Sequence, residues 1–273
     1  MQCPVCGANG VLWVDNNGSL GHHFKHEDYC PVIDQTPPAS QVFLMDCIQG
    51  MQELPNECVD LIVSDPPYLI NYRTNHRKDK EHEFCTPIQN DNNPDLIREY
   101  MKECYRILKP DTAFYCFTSE RTAGFFKETA QKAGFRCKNS IVWVKNEWTA
   151  GDLQAAFGFQ YEVILLFNKG RAFLQGKRTG DVWQIPRVAG KQQVHQNQKP
   201  VELIIKCIEY HSKPGDVVFD GFMGSGTTAV AATRCGRRFL GYEIEPKYFG
   251  IITDRLKEGK KDEDTKENPA ERD

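Results

Sequence analysis

An acidic residue, two prolines and an aromatic residue stand together at Asp65-Pro66-Pro67-Tyr68, directly after the apolar run Val59–Val63. In an open parallel sheet, ligands bind beyond the carboxyl ends of the strands, and this motif would lie at such an end. Two successive prolines fix the backbone and remove two N–H donors, which leaves carbonyls that can face a ligand. The acid and a carbonyl can accept the two hydrogens of an amino group on a planar base, and the aromatic ring can stack on its face. A plain turn is the alternative, because Asp and Pro are common turn residues.

A second candidate site is the glycine-rich turn that follows the apolar run Val217–Phe219. Gly221 and Gly226 have the spacing of a P-loop, but the lysine that should follow is Thr227, which argues against a triphosphate site. The dinucleotide-binding pattern is also incomplete, so a nucleoside-type pocket remains. Its acid is expected at the end of the next strand. Glu243 lies 243 − 226 = 17 residues beyond Gly226, close to the separation at which an acid meets a ribose hydroxyl. A strand–turn–helix without a ligand is the alternative.

The N-terminal stretch has the residue types and spacing of a structural zinc site. The predicted ligands are Cys3, Cys6, His26 and Cys30. Cys-x-x-Cys followed by glycine forms a tight thiolate knuckle, and His-x-x-x-Cys can complete a tetrahedral site. His22 or His23 could replace His26. A hairpin of Val11–Asp15 and Ser19–Phe24 would connect the two pairs. A redox Cys-x-x-Cys is disfavoured, because no thioredoxin-like strand precedes it. Residues 1–35 are therefore predicted to form a small zinc-ribbon-like module.

The elements that must position these residues alternate between strands and helices after a linker at Thr36–Ser40. The predicted strands are Val42–Met45, Val59–Val63, Ala113–Phe117, Ser140–Val144, Tyr161–Phe167, Val217–Phe219 and Phe239–Tyr242. Helical spacing runs from Leu96 to Leu108 and from Phe125 to Ala133, and a third helix is expected to begin at Pro200. This alternation predicts an α/β domain over residues 41–255, built on a doubly wound, mostly parallel sheet.

Composition agrees with one large domain and a small appendage. The 273 residues are 40% hydrophobic and 26% charged, with a formal net charge of −3. The apolar runs are strand-sized and too short to cross a membrane, and the N-terminus lacks the apolar core of a signal peptide. A cytoplasmic location is expected, and in that setting the eleven cysteines are expected to be buried or metal-bound. The charged segment 256–273 is predicted to be a disordered tail.

The order of the two motifs resembles that of the β group of amino-methylating DNA methyltransferases. Members of this group carry Asp-Pro-Pro-Tyr first and a turn such as Phe222-x-Gly224-x-Gly226 much later. The likeness runs from about Val42 to about Phe249. Three further blocks support it: Met45-Asp46-Cys47, Trp143-Val144-Lys145 and Tyr161–Leu165. The segment His195–Pro200 is similar to the family's His-Pro-Thr-Gln-Lys-Pro, from which it departs at positions 196 and 197.

The resemblance implies a Rossmann-like fold that binds S-adenosylmethionine, and it assigns roles to individual positions. The catalytic residues would be Asp65, Pro66, Pro67 and Tyr68. Asp65 and the carbonyl of Pro66 would hold the target amino group, and Tyr68 would stack on the base. The cofactor would be bound by Asp46, Asp65, Lys199, Asp220, Phe222, Gly224, Ser225, Gly226, Thr227 and Glu243, with Asp46 at its adenine and Glu243 at its ribose.

The implied activity is site-specific methylation of double-stranded DNA. The target base would be flipped out of the duplex, and adenine N6 is favoured over cytosine N4, because the cytosine enzymes more often begin the motif with serine. Glutamine methyltransferases are disfavoured, since their glycine motif comes first. An inactive zinc-containing DNA-binding protein is the rival from another class. A homodimer and a role in restriction–modification are both compatible with the resemblance.

Two long segments that fit no strand or helix are left for DNA recognition. We predict that residues 70–94 form a mobile loop and that residues 170–194 form the target-recognition segment. From Lys169 to Lys191 there are six basic residues and one acid, enough for several phosphate contacts. The predicted DNA contacts are Arg73, Lys177, Arg178 and Arg187. Solvated surface loops are the alternative for both segments.

Overall fold

The computed structural model describes residues 10–24, 40–70, 91–148, 154–188 and 198–267. Its strands are β1 (Gly10–Asp15), β2 (Leu20–Phe24), β3 (Gln41–Leu44), β4 (Val59–Ser64), β5 (Leu108–Thr118), β6 (Arg136–Val144), β7 (Tyr161–Lys169), β8 (Val182–Gln184), β9 (Val217–Asp220) and β10 (Arg238–Glu243). Its helices are α1 (Cys47–Gln52), α2 (Pro94–Ile107), α3 (Ala123–Ala133), α4 (Val201–His211), α5 (Thr227–Arg234) and α6 (Pro246–Glu267).

The strands form one mixed sheet in the order β2-β1-β3-β10-β9-β4-β5-β7-β6-β8. The five strands β3, β10, β9, β4 and β5 are parallel to one another, and β8 is parallel to β6. The hairpin strands β1 and β2 and the strand β7 introduce the antiparallel pairings. The α/β class is therefore confirmed, as is the parallel pairing of the central strands.

Helices cover both faces of the sheet, because the central strands are apolar on both sides. Successive residues of β4 point to opposite faces: Leu61 and Val63 pack with α4, α5 and α6, whereas Ile62 packs with α1, α2 and α3. Strands buried on both faces are typical of parallel sheets between helices. Because both faces of these strands are buried, the strands appear in the sequence as continuous apolar runs.

The order in which strands are added to the sheet reverses between the neighbouring strands β9 and β4. From β4 the chain continues to β5 on one side, and from β9 it continues to β10 on the other. The connecting helices α2 and α5 accordingly lie on opposite faces. At such a switch point the loops that follow the two adjacent strands separate and leave a crevice at their carboxyl ends. The Asp-Pro-Pro-Tyr motif follows β4 and the glycine-rich turn follows β9, so both candidate sites open into this crevice.

The N-terminal hairpin has the predicted strands, but it is part of the main sheet. Gly10 pairs with Phe24 across the hairpin, and Trp13 pairs with Phe43 of β3. Val14 is fully buried in the same core as Val42. Residues 10–24, which were predicted to belong to a separate module, therefore extend the main sheet, because the apolar side chain of Val14 completes its core. The predicted zinc ligands Cys3, Cys6, His26 and Cys30 lie outside the described residues.

Two smaller features differ from the sequence prediction or extend it. The short edge strand β8 lies inside a segment for which no element was expected, since three residues are too few to show a period. Helix α6 continues to Glu267, although a disordered tail was predicted from residue 256. Leu256 is buried, and lysine and glutamate are strong helix formers.

The described cysteines are free, and five of them are buried. Across the described ranges, no helix is long and apolar enough to cross a membrane.

Candidate active site

A cavity of about 550 Å³ opens at the carboxyl ends of the central strands. One half is lined by residues that follow β3, β9 and β10, including Asp46, Phe222 and Glu243. The other half is lined by residues at the ends of β4, β5 and β7, including Asp65 and Glu162. The volume lies within the usual range for a small-molecule site. The cavity therefore brings the two motifs together, although they are separated by about 150 residues of sequence.

The glycine-rich turn is shaped by its positive backbone angles and by Asp220. Gly226 has φ +78° and precedes the first residue of α5, and an added Cβ would lie 3.0 Å from Ile252. Only glycine adopts this conformation without strain. The Asp220 carboxylate accepts hydrogen bonds from Ser64 Oγ (2.8 Å), the Phe222 amide (3.0 Å) and Thr228 Oγ1 (2.7 Å). Asp220 thus fixes the turn from within, and burial raises its pKa to about 6.

A buried hydroxyl pair joins the two motif-bearing strands. Tyr100 Oη donates to Ser64 Oγ over 2.7 Å, and Ser64 Oγ donates onward to Asp220. The Gly221 amide donates to the same Tyr100 hydroxyl over 3.3 Å. Because Ser64 directly precedes Asp65, this chain of hydrogen bonds fixes the end of β4 against the end of β9. The relative position of the acid and the glycine-rich turn is therefore set by side chains as well as by strand pairing.

Glu243 is oriented by the backbone on either side of it. Its Oε2 accepts from the Gly224 amide (2.7 Å) and its Oε1 from the Glu245 amide (2.8 Å). Burial raises the pKa of Glu243 to about 7, although these backbone hydrogen bonds oppose the shift. Each carboxylate oxygen retains a further lone pair that can accept from a ligand. The position at the end of β10 and the free acceptor capacity fit the predicted contact with a ribose.

The remaining predicted cofactor residues also line the cavity. Asp46 is the N-cap of α1, where its Oδ1 accepts from the Ile48 and Gln49 amides. Ser225 and Thr227 are held from behind by Arg255, whose Nη1 donates to the Ser225 carbonyl over 2.6 Å. The cavity-lining members of the predicted set are Asp46, Asp65, Lys199, Asp220, Phe222, Gly224, Ser225, Thr227 and Glu243. Gly226 lies within the same turn, and its amide bonds to the Met223 carbonyl.

The catalytic half of the cavity holds a cluster of alternating charges around Tyr68. Tyr68 Oη donates to Asp65 Oδ1 (2.6 Å) and lies 3.0 Å from Glu162 Oε2. Lys199 Nζ lies between the same two carboxylates, 2.6 Å from Asp65 Oδ2 and 3.3 Å from Glu162 Oε2. Lys145 Nζ donates to the other oxygen of Glu162. The two acids and two lysines balance in charge, and the Lys199 ammonium also lies 5.3 Å from the centre of the Tyr68 ring.

The members of this cluster differ in the direction in which their pKa values are shifted. Burial raises the pKa of Asp65 more than its neighbour Lys199 lowers it. Burial acts on Glu162 in the same direction, but Lys199 and Lys145 together lower its pKa to about 2. For Lys199, burial is outweighed by the two carboxylates, which raise its pKa. Asp65 is therefore the one acid of the pair that is biased towards taking up a proton, while Glu162 and Lys199 stay ionised.

Sequence reasoning missed the roles of Glu162 and Lys145. Both were inside blocks that supported the family resemblance, but neither was assigned to the site. A charged residue next to the buried run Val163–Phe167 was the available signal, since an acid seldom borders a buried strand without a partner. Arg255, Ser64 and Tyr100 carried no comparable signal, because their contacts depend on the fold.

The predicted DNA contacts are divided between opposite edges of the sheet. Helix α4 begins two residues after the cavity-lining Lys199 and ends before Ser212, whose carbonyl accepts a hydrogen bond from Arg237 beside the start of β10. Gln175 and Thr179 bond to Tyr210 near that far end, and Lys177 lies in the same place. Lys177 and its neighbour Arg178 are therefore placed at the edge away from the cavity. Arg187 lies at the cavity edge, where its guanidinium donates to Glu147 (2.7 Å). Arg73 and most of the predicted mobile loop lie outside the described ranges.

Comparisons with known proteins agree with this geometry. The family model described as DNA methylase, for N6 and N4 methylation, matches residues 59–254. The type II methyltransferase M.HinfI of Haemophilus influenzae is 30% identical over 249 residues, which cover 78% of this chain and 67% of that protein. The DNA adenine methyltransferase YhdJ of Escherichia coli strain K12 is 31% identical over 249 residues, 77% of this chain and 80% of its own.

Solved structures show the same architecture. The complex of M1.HpyAVI with SAM has a TM-score of 0.62 and 26% identity, and the match covers 79% of this chain and 98% of that one. The cytosine-N4-specific PvuII DNA methyltransferase has a TM-score of 0.64 over 81% of this chain and 87% of its own. Its identity is only 17%, so this second likeness concerns the fold alone.

Proposed function

The chain belongs to the DNA methylase family, and we propose that it transfers the methyl group of S-adenosylmethionine to N6 of a flipped-out adenine in double-stranded DNA. The observation that carries this proposal is the single cavity into which the Asp65 carboxylate and the glycine-rich turn both open, from adjacent strands β4 and β9. The name of the relative YhdJ favours adenine. The aspartate at position 65 favours it as well, because the resemblance implies that cytosine-N4 enzymes more often have serine there.

The cavity residues fit S-adenosylmethionine. Glu243 offers carboxylate lone pairs for ribose hydroxyls, and the glycine-rich turn allows close approach of a ligand to the backbone. Asp46 stands on the same side at the start of α1, in a position suited to the adenine. When bound, the cofactor supplies a methyl group on a positively charged sulfur. The protein's part is to place a nitrogen lone pair in line with that methyl group.

Asp65 is the residue best placed to prepare the target nitrogen. The amino group of adenine is a weak nucleophile, because its lone pair is delocalised into the ring. Hydrogen bonds from its two hydrogens to Asp65 and to the Pro66 carbonyl would draw the nitrogen towards a tetrahedral shape. Each Asp65 oxygen already accepts one hydrogen bond, from Tyr68 or Lys199, and keeps a second lone pair for the substrate. Positioning and electrostatics then carry the reaction without a covalent enzyme intermediate.

The proton released by the nitrogen needs an acceptor. An amino group that accepted the methyl group would lose one of its two protons, since the neutral product nitrogen carries one methyl group and one hydrogen. Glu162 and Lys199 are held in their ionised forms by each other, whereas the pKa of Asp65 is raised by burial. Asp65 is therefore the group in this cluster that can take the proton and pass it to solvent after the product leaves.

Transfer of a tritium-labelled methyl group tests the function and the base together. The purified protein should incorporate label from S-adenosylmethionine into unmethylated genomic DNA, and digestion should recover the label as N6-methyladenine. Recovery as N4-methylcytosine would support the alternative base. Absence of incorporation, with intact cofactor binding, would support the rival view of an inactive DNA-binding protein.

Glu243 should make cofactor affinity depend on pH. Ribose hydroxyls donate to the ionised carboxylate, whose pKa of about 7 leaves it largely protonated at pH 6. Binding must then release a proton, so the cofactor Kd at pH 6 should exceed that at pH 8 by roughly tenfold. Glu243→Gln should weaken binding at pH 8 by roughly tenfold to a hundredfold, since a charge-assisted hydrogen bond is lost.

Calorimetry at the two pH values checks this expectation. The change in Kd between pH 6 and 8 should be smaller in Glu243→Gln than in the wild type. The exposed Glu128, on α3, gives a matched control, and Glu128→Gln should bind the cofactor as the wild type does. Equal pH dependence in wild type and Glu243→Gln would contradict the ribose role.

We also propose that the N-terminal cysteines bind a structural zinc ion. Gly10 pairs with Phe24, so the chain enters and leaves the hairpin at one end, and this supports the approach of the two predicted ligand pairs. The proposed ligands are Cys3, Cys6, His26 and Cys30, with His22 or His23 as alternatives to His26; the spacing of Cys-x-x-Cys and His-x-x-x-Cys supports a tetrahedral site.

Metal analysis of the purified protein should find about one zinc ion per chain. Cys3→Ser and Cys30→Ser should each lose it, whereas the half-buried Cys235 serves as a control, and Cys235→Ser should retain full occupancy. Full zinc occupancy in both ligand variants would exclude these cysteines as ligands.

A further inference from the structure

The connection between β6 and β7, together with the first residue of β7, exposes four aromatic side chains. They are Trp148, Phe157, Phe159 and Tyr161, with 71%, 97%, 43% and 42% of their surfaces accessible. We call these four residues the aromatic rim. Solvent-exposed connections ordinarily carry small and polar residues, and contiguous exposed apolar surface marks a place where a partner binds. We therefore expect a partner to bind at the aromatic rim.

The aromatic rim is anchored next to the catalytic cluster. The Lys145 amide donates to the Gln160 carbonyl over 2.8 Å, and this hydrogen bond joins the two ends of the connection. The side chains of Lys145 and Glu162, which lie next to this hydrogen bond, belong to the charge cluster around Asp65. Phe159 and Tyr161 line the cavity itself, whereas Trp148 and Phe157 lie farther out. The rim thus continues the wall of the cavity towards solvent.

Cationic side chains lie among these rings. The Arg121 guanidinium is 4.8 Å from the centre of the Phe159 ring, and Arg121 also lines the cavity. On the side of Trp148, the Arg187 amide donates to Asn146 and its guanidinium is held by Glu147. Exposed aromatic faces interleaved with arginine are the combination that holds unstacked nucleotides, because bases stack on the rings and phosphates pair with the cations.

We propose that the aromatic rim is a stacking platform for DNA bases at the position of the flipped nucleotide. The proposal rests on the DNA methylase function and adds a surface to it. Flipping removes a base from the duplex and leaves its neighbours without a stacking partner. Trp148 and Phe157 stack on bases outside the cavity, while Phe159 and Tyr161 guide the extruded base into it. Arg121 and Arg187 bind the flanking phosphates.

The position of the rim favours DNA over a protein partner. A protein seated on these rings would cover the mouth of the cavity, through which the target base must enter. The exposed Phe173, Leu174 and Val182 lie elsewhere, on the segment that follows β7, which begins at the far edge. Flat aromatic faces suit bases, which present a π-face whatever the sequence.

Paired substitutions test the platform. Trp148→Ala combined with Phe157→Ala removes the two outer rings, and Leu20→Ala removes exposed apolar surface from β2, at the other edge of the sheet. Affinity for a labelled DNA duplex of random sequence, measured by fluorescence anisotropy, should fall tenfold or more in the rim variant and remain unchanged in the control. The salt dependence should persist in the rim variant, because no phosphate contact is lost. Arg121→Ala and Arg187→Ala should each reduce the salt slope by about one unit.

Tryptophan fluorescence gives a readout independent of activity. Trp143 and Trp183 are buried, and the half-buried Trp13 lies on β1, away from the cavity. The quenching of emission on DNA addition should therefore come mainly from Trp148 and should be lost in Trp148→Phe. Cofactor affinity should be unchanged in every rim variant. Unaltered DNA affinity and unaltered quenching would overturn the proposal, as would a changed sedimentation coefficient in the rim variant without DNA. Wild-type methyl transfer shows separately whether the enzyme function itself stands.

Discussion

Replacing Asp65 with asparagine is expected to lower methyl transfer into DNA by roughly a hundredfold to a thousandfold, the usual effect of removing one preorganised electrostatic contact. The amide can still accept one hydrogen bond, but its NH₂ group faces the donors Lys199 and Tyr68 and carries no negative charge for the developing cation. The change also removes the proton acceptor. The cofactor Kd should change far less than the transfer rate, because Asp65 is only one of the predicted cofactor contacts and the ribose and turn contacts are intact.

Asp60→Asn provides the matched control, since Asp60 lies on β4, the strand that Asp65 follows, and also pairs with a lysine. Its carboxylate binds Lys109 and the Val217 amide at the opposite end of β4. This variant should lose stability without a loss of transfer rate per folded molecule. Single-turnover rates at saturating cofactor distinguish the two changes. If Asp65→Asn keeps at least a tenth of the wild-type single-turnover rate, Asp65 does not have the proposed catalytic role.

The motifs and their positions on strand ends were predictable because they depend on local sequence. Val59–Ser64 and Val217–Asp220 are apolar runs that end in polar residues, and a parallel sheet places such ends at one edge. Their adjacency was not predictable from the runs alone. It depends on β9 and β10 inserting between β3 and β4, a long-range pairing that no period of the sequence reports.

The charge cluster could not be assembled from sequence for a related reason. Asp65, Glu162 and Lys199 come from three distant segments, and their meeting requires β7 to run antiparallel beside β5. Likewise, the basic residues after β7 looked like one recognition segment. The chain instead crosses the far edge first and returns along β8, so Lys177 and Arg187 lie at opposite ends. Charge counts along a segment contain no information about this reversal.

Removing the charge of Lys199 or of Glu162 should shift the pH dependence of methyl transfer in opposite directions. Asp65 must be ionised to hold the amino group, so the rate falls as pH decreases through the pKa of Asp65. Lys199→Met removes the cation that lowers this pKa and should move the acidic limb to higher pH. Glu162→Gln removes a like charge that raises it and should move the limb to lower pH.

The effect of Lys199→Met at neutral pH should be large. Each unit by which the pKa of Asp65 rises above the assay pH reduces the ionised fraction about tenfold. The loss of one partner from a buried ion pair also costs about 3–5 kcal/mol of folding stability. Rates must therefore be referred to folded protein, measured by thermal unfolding under the same conditions. Activity of this variant should recover as the pH is raised.

Lys145→Met is the informative control, because Lys145 binds the far oxygen of Glu162 without a hydrogen bond to Asp65. The acidic limb of the pH–rate profile should move less in Lys145→Met than in Lys199→Met, since the charge of Lys145 acts on Asp65 from a greater distance. A purely structural role for the cluster would lower the rates of all three variants and leave the three limbs where the wild type has them. Opposite displacements in Lys199→Met and Glu162→Gln, with a small displacement in Lys145→Met, require that the cluster sets the protonation of Asp65.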